Sequence, residues 1–253
     1  MDASLLWLAL CFFAVAVLYS SVGFGGGSSY LALLALFLPN FLEIKTTALL
    51  CNLVVVSGGT YLFYQEGLFN KKLFLPLVAC SVPAAFLGAT ISLSQPVFFV
   101  CLGAVLALSG ALLIFQLFLP VPQSHAPTPK SSALALHLSL GAGAGFVSGL
   151  VGIGGGILLS PVLHLLRWAQ PKTIAALASF FILVNSLAGL AGQVASGNFK
   201  ADGIILFPLL LAVFAGGQVG TRVSLQKLQP RAVKGLTGVF VLVIGVKLVL
   251  QYT

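Results

Sequence analysis

The chain has 253 residues, of which 59% are hydrophobic and only 6% charged, with a formal net charge of +8. A soluble domain carries about 25% charged residues, so a water-facing surface cannot be assembled from this composition and most of the exterior must face lipid. The positive excess sits between apolar segments, where it sets orientation. No basic tract interleaved with aromatics is present, which excludes a nucleic-acid partner.

Taken in chain order, apolar segments are expected at 5–20, 28–38, 47–64, 73–92, 97–119, 133–150, 155–166, 173–195, 203–221 and 233–251. The runs 97–119 and 203–221 carry no charge, and a helix needs about 20 predominantly apolar residues to cross a bilayer. Continuous runs of this kind, rather than short alternating ones, argue for helices and against a β-barrel. The opening MDASLLWLAL lacks a basic stretch, so the first segment is expected to be retained rather than cleaved as a signal peptide. Cys11, Cys51, Cys80 and Cys101 all fall in apolar segments without CxxC spacing. They read as small buried hydrophobes, with a thiol meeting a sulfur-containing substrate as the lesser reading, and metal ligation has no support in the spacing.

One polar stretch interrupts the pattern. PVPQSHAPTPKSS at 120–132 is rich in proline and serine and reads as an exposed connection. It divides the chain into a first transmembrane repeat, 1–119, and a second, 133–253. VGFGGG at 22–27 recurs as VGIGGG at 151–156, Gly59 and Gly67 recur as Gly189 and Gly197, and Pro76 as Pro208. Pro96 corresponds to Pro230, and Gly103 and Gly110 to Gly238 and Gly245. The landmarks recur in one order at a nearly constant offset.

The short segments flanking each GxGGG either form one broken spanning helix or enter and return as a hairpin. The hairpin arrangement leaves three crossings per half, and an odd number inverts the second half. It also places Lys71, Lys72, Lys130, Arg167, Lys172, Arg222, Lys227, Arg231 and Lys234 on one side, against Lys45, Lys200 and Lys247 on the other. The parallel arrangement separates charge less well. The positive-inside rule therefore favours inverted repeats with both termini outside, a deep hairpin being tolerated where protein or water covers its backbone.

The glycine breaks carry the chemistry. A triple glycine in an apolar run ends a helix, because glycine reaches backbone angles closed to other residues, and the residues that follow start a new half-helix. Its first N–H groups are unpaired and its end carries partial positive charge, which makes an anion site without a buried lysine. Candidate binding residues are Gly23, Gly25, Gly26 and Gly27 with Ser28 and Ser29 at the first break, and Gly152, Gly154, Gly155 and Gly156 at the second. Asn52 and Asn185 join them as mid-segment amides that need partners in lipid. The competing reading is that the glycines only permit close helix packing. A dinucleotide-binding reading fails because no βαβ unit surrounds the motif.

The doubled GxGGG, the chain length and the segment pattern resemble the TauE/SafE sulfite-exporter family, the TSUP permeases, over nearly the whole chain. The resemblance implies a secondary transporter, with export the family-weighted direction, of sulfite, a sulfonate or a related small anion. Ser28 and Ser29 stand where the second half has Ile157 and Leu158, so the two half-sites are not expected to be equivalent.

Other polar residues weigh less. Ser20, Ser21 and Ser160 flank the breaks, and Gln193 and Gln218 lie in apolar stretches. His137 and His164 titrate near neutrality in general and are candidates for proton coupling, although a histidine bonded to a carbonyl is commoner. Arg222, Lys45 and Lys172 either attract anions or snorkel to the interface. Asp2, Glu43, Glu66 and Asp202 sit at segment ends, so no deep carboxylate relay is evident. No Walker loop, HExxH or GxSxG occurs, so neither a cofactor, a metal nor an enzymatic activity is expected. The expected partners are a small anion and the lipid bilayer, with the bacterial inner membrane as the location. A carrier of small carboxylates, and a non-transporting component of a larger complex that tolerates bulk at Gly26 or Gly155, are the alternatives.

Overall fold

In the computed structural model, which describes residues 3–38, 40–118, 134–166, 168–226 and 231–253, each expected apolar segment contains a helix, although the one expected at 28–38 ends at Leu34. The helices are α1 (Ala3–Ser20), α2 (Gly27–Leu34), α3 (Phe41–Gln65), α4 (Lys71–Thr90), α5 (Gln95–Phe115), α6 (Leu134–Val151), α7 (Gly156–Leu165), α8 (Pro171–Ala195), α9 (Gly203–Gln226) and α10 (Arg231–Tyr252). No strand occurs among the described residues. The connection 120–132, Lys130, Arg167, Lys227 and Pro230 lie outside them, as do the side chains of Lys72 and Arg231. Among the described residues, five helices are long and apolar enough to cross a membrane. Trp7, Phe118, Ile204 and Leu250 are among many large apolar side chains left exposed, as a lipid-facing exterior requires.

Two of the helix starts that precede the expected segments have an identifiable local cause. The Asn40 side chain accepts a hydrogen bond from Leu42 N at 3.1 Å and caps α3, because a side-chain oxygen there satisfies an otherwise orphaned N–H. The helix therefore begins before the apolar run at 47 and takes in Glu43 and Lys45. Pro171 begins α8 from within its first turn, where its fixed backbone angle costs nothing.

The helices pair in a way that survives exchange of the two halves. Helix α1 packs on α9 and α6 on α4, α3 packs on α9 and α8 on α4, and α2 packs on α3 and α7 on α8. The α5–α10 and α3–α8 contacts are each their own counterpart. Directions follow from which residues meet. Gly141, Gly145 and Gly149 lie over Leu77, Ser81 and Ala85, so α6 runs parallel to α4. Gly216 and Gly220 lie over Phe13 and Val17, and Gly217 and Gly59 meet Val55 and Thr221, so α1 and α3 both run parallel to α9. Gly103 lies over Gly245 and Gly110 over Gly238, so α5 and α10 are antiparallel.

The glycines at these crossings are there for packing, since small residues let membrane helices approach closely. A Cβ on Gly110 would stand 2.6 Å from Leu242 N and 2.8 Å from the Gly238 carbonyl oxygen. Gly110→Val is therefore expected to destabilise the fold by about 1–3 kcal/mol, the usual cost of overpacking. Thermal unfolding in detergent checks this, and an unchanged midpoint would mean that the α5–α10 seam is loose.

The four cysteines are free thiols, but their surroundings differ: Cys51 is buried, Cys80 and Cys101 are half-buried and Cys11 faces outward. The expectation of uniform burial fails because an apolar helix facing lipid has no polar face to mark which residues point out.

Candidate functional site at the two glycine breaks

Each break is a run of backbone that only glycine holds cheaply. Gly26 precedes α2 at φ 88° and Gly155 precedes α7 at φ 72°, both in the left-handed region. Gly23, Gly152 and Gly154 also have positive φ. The second break thus has one more left-handed residue than the first, since Gly25 lies outside that region.

Asn52 connects the two breaks. Its Oδ1 accepts a hydrogen bond from Gly27 N at 3.2 Å, which satisfies one of the N–H groups at the start of α2. A Cβ added to Gly25 would collide with the same oxygen. Its Nδ2 donates to Ser186 Oγ at 3.2 Å. From the other side, a Cβ on Gly154 would stand 3.0 Å from both Asn52 Nδ2 and Ser186 Oγ. One fully buried amide on α3 therefore touches the first break with its acceptor and the second with its donor.

The second half has no such amide. Gly154 and Gly156 are covered by Ile182, the residue of α8 that stands where Asn52 stands on α3. Ile182 offers no acceptor to the N–H groups at the start of α7. The surroundings of the second break are instead rich in donors. Ser148 Oγ is buried without a partner, and its Cβ lies 2.9 Å from the Cβ position on Gly155. Lys45 is also at this break, with its Cε 3.4 Å from the Cβ position on Gly152. Only 8% exposed, its ammonium donates to the Leu150 carbonyl at 3.4 Å and lies 5.4 Å from the centre of the Phe98 ring. The matching place beneath Gly23 is filled by Ala175.

The remaining expected residues divide. Ser28 and Ser29 are buried, and Ser29 Oγ is hydrogen-bonded to the Tyr19 hydroxyl at 2.6 Å, tying α2 to α1. Asn185 donates to the Phe181 carbonyl of its own helix at 2.7 Å, while its Oδ1 is buried without a partner. Ser20 and Ser21 bond carbonyls in α1. His137 Nε2 accepts a hydrogen bond from Trp168 Nε1 at 2.7 Å, and His164 Nδ1 lies 2.8 Å from the Ser160 carbonyl.

Sequence reasoning missed Ser186, Ser148 and Tyr30. The Tyr30 hydroxyl is buried without a partner and lies 2.9 Å from the Cβ position on Gly26, with its ring stacked on Phe12 at 4.5 Å. Each break thus has an unsatisfied buried hydroxyl beside its capping glycine. A signal was present, since Tyr30 and Ser148 are each within about one helical turn of a glycine break.

Long apolar helices, a bundle interior holding buried amides and lysine, and glycine-broken half-helices define a multi-pass integral membrane protein. Residues 8–248 match the sulfite exporter TauE/SafE family, and the chain belongs to that family. It is 34% identical over 98% of its length to the "Probable membrane transporter protein y4hK" of Sinorhizobium fredii, covering 99% of that protein. It is 27% identical to the "Probable membrane transporter protein YjnA" of Bacillus subtilis over 93% of this chain and 96% of that one. No solved structure matches. The chain is thus a membrane transporter of the TauE/SafE type and not an enzyme.

Proposed function

We propose that this protein carries a small sulfur-containing anion, sulfite or an organosulfonate, outward across a bacterial inner membrane, and that the anion sits at the second glycine break. The carrying observation is the buried Asn52 amide, which fills the N–H end of the first half-helix with its acceptor and turns its donor towards the second. Together Asn52 Nδ2, the Ser186 and Ser148 hydroxyls and the α7 N-terminus bring several hydrogen-bond donors to one place, with the Lys45 charge beside it. An oxyanion needs such a set, and charge-assisted hydrogen bonds of this kind are roughly twice as strong as neutral ones.

The chain is read as two inverted repeats, 1–119 and 133–253, joined by 120–132. The antiparallel α5–α10 pair supports this, because two helices that are each other's counterparts point in opposite directions. The shared direction of α1, α3 and α9 supports a returning α1–α2 hairpin, since α2 must then run back between two helices that point the same way. Inverted repeats with broken helices at midplane are the architecture of alternating access by rocking.

The test is thermal unfolding of the purified protein against sulfite, sulfate, thiosulfate, short sulfonates, short carboxylates and chloride. A ligand that binds only the folded state stabilises by about 2.7 kcal/mol at a hundredfold excess over its dissociation constant. A rise in midpoint with sulfite or a sulfonate but not chloride is the expected result. A rise confined to carboxylates replaces the substrate class, and no response to any anion counts against the pocket. Bulky residues at Gly26 or Gly155 do not separate carrier from passive component, because both have positive φ and packed neighbours within 3.0 Å of the Cβ position. Substitution there strains the fold under either reading.

A further inference from the structure

The polar contacts between α3 and α8 extend well beyond the glycine breaks. Thr46 Oγ1 donates to Gln193 Oε1 at 3.2 Å, Asn52 Nδ2 to Ser186 Oγ at 3.2 Å and Thr60 Oγ1 to Ser179 Oγ at 3.3 Å. As the numbers rise on α3 they fall on α8, so the helices are antiparallel and the pairs lie at successive depths. Ser179, Ser186 and Gln193 are spaced by heptads, which keeps them in one stripe along the helix. Lys172 continues the spacing to the start of α8, where its ammonium donates to the Leu225 carbonyl at 2.6 Å.

The neighbouring stripe on each helix is apolar. Leu49, Val56 and Phe63 on α3 are spaced by heptads, and so are Ala176, Leu183 and Leu190 on α8. Exchange of the halves would turn each polar pair into an apolar one: Gln193 corresponds to Phe63, Ser186 to Val56 and Ser179 to Leu49. The two stripes are therefore chemically opposite although the fold relates them.

Both ends of the polar stripe hold donors that the protein leaves unsatisfied. Gln193 Nε2 is buried without a partner beside Thr46. At the other end Thr221 Oγ1 is buried without a partner, and it and Ser179 Oγ stand 3.3 and 2.9 Å from the Cβ position on Gly59. Gln193 and Thr221 are each only 1% exposed. Buried polar atoms are nearly always paired, and unpaired donors at both ends of one stripe are what a passing oxyanion would use.

We propose that the anion's route follows this one stripe, from Thr46–Gln193 past Asn52–Ser186 to Thr60–Ser179 and Thr221, and that the apolar stripe stays dry throughout transport. The inference deepens the anion-carrier reading and rests on it for the identity of the cargo. In the static structure Thr60 on the polar route and Leu183 and Leu190 on the apolar stripe are half-buried and the other named members are buried, so water access to the buried reporters arises from opening during the cycle.

The test is cysteine accessibility in membrane vesicles, using the full chain and an anionic sulfonate-bearing methanethiosulfonate reagent, with modification read peptide by peptide by mass spectrometry. Single variants Gln193→Cys, Ser186→Cys, Ser179→Cys and Thr221→Cys report the polar stripe, and Leu49→Cys and Ala176→Cys report the apolar one. The cysteine thiolate attacks the reagent's sulfenyl sulfur and displaces methanesulfinate, and apolar burial suppresses the thiolate, so the polar-stripe sites are expected to react at least about tenfold faster. Equal rates on the two stripes, or no reaction along the polar one, would overturn the proposal. Only variants that elute like the parent are compared; the serine and alanine replacements change one atom or add one, so each stripe keeps a reporter. Reaction rates depend on water access and not on flux. A chain that labels along one stripe yet moves no sulfite would keep the route and lose the substrate, whereas sulfite flux without selective labelling would keep the carrier and lose the route.

Discussion

Asn52→Asp is expected to weaken anion binding by about a thousandfold while keeping the shape of the site. Aspartate is isosteric with asparagine and still presents an oxygen to Gly27 N, which Asn52 Oδ1 accepts from at 3.2 Å. It replaces the Nδ2 donor that faces Ser186 and Gly154 with a second acceptor carrying negative charge. Two like charges about 4 Å apart repel by about 4 kcal/mol at an effective dielectric constant of about 20, and each 1.4 kcal/mol is about a factor of ten in affinity. Asn52→Leu is the necessary comparison. It removes the donor without adding charge, and it leaves Gly27 N unpaired at a cost of about 1–3 kcal/mol of stability. Isothermal titration with a sulfonate, which stays ionised across the accessible pH range, should rank wild type above leucine and leucine above aspartate. Equal losses in the two variants would mean that the anion does not sit beside Asn52.

The glycine breaks were legible in the sequence because a triple glycine in an apolar run has a direct backbone meaning. Each break is followed at once by a helix start, at Gly27 and Gly156. Other parts of the site were not legible, and the reason is the solvent. In a soluble helix the polar face marks the outside, but here lipid and bundle interior are both apolar, so a lone serine carries no directional signal. Ser186 and Asn185 are adjacent in sequence and equally buried. Only the first bonds Asn52, whereas the second turns its amide to the Phe181 carbonyl. Lys45 was obscured differently. Its charge assigns it to a segment end on any hydropathy count, yet the Asn40 cap starts α3 early enough to carry it inside. Local capping chemistry overrode the apolar pattern at that point.

Lys45→Met is expected to raise the thermal unfolding midpoint and to lower anion affinity by about tenfold, corresponding to about 1–2 kcal/mol of lost attraction. The two effects have one origin. The ammonium is nearly removed from solvent, and the recorded compensation is a long hydrogen bond of 3.4 Å to Leu150 and the face of Phe98. Burying a charge with so little in return opposes folding, and methionine matches much of the lysine stem as an adaptable apolar filler. Functional sites commonly retain residues that cost stability. The opposing account is that Lys45 is a structural cap, since Leu150 lies in the last turn of α6, where a cation meets the negative end of the helix. A cap and an anion-attracting charge predict opposite signs for the same variant. Loss of the cap lowers the midpoint and leaves affinity in the surviving folded protein unchanged. Removal of a charge held for the substrate raises the midpoint and weakens sulfonate binding, so unfolding and titration on one preparation separate the two. Ala175, which fills the matching place beneath Gly23, shows that a small apolar side chain suffices for packing there.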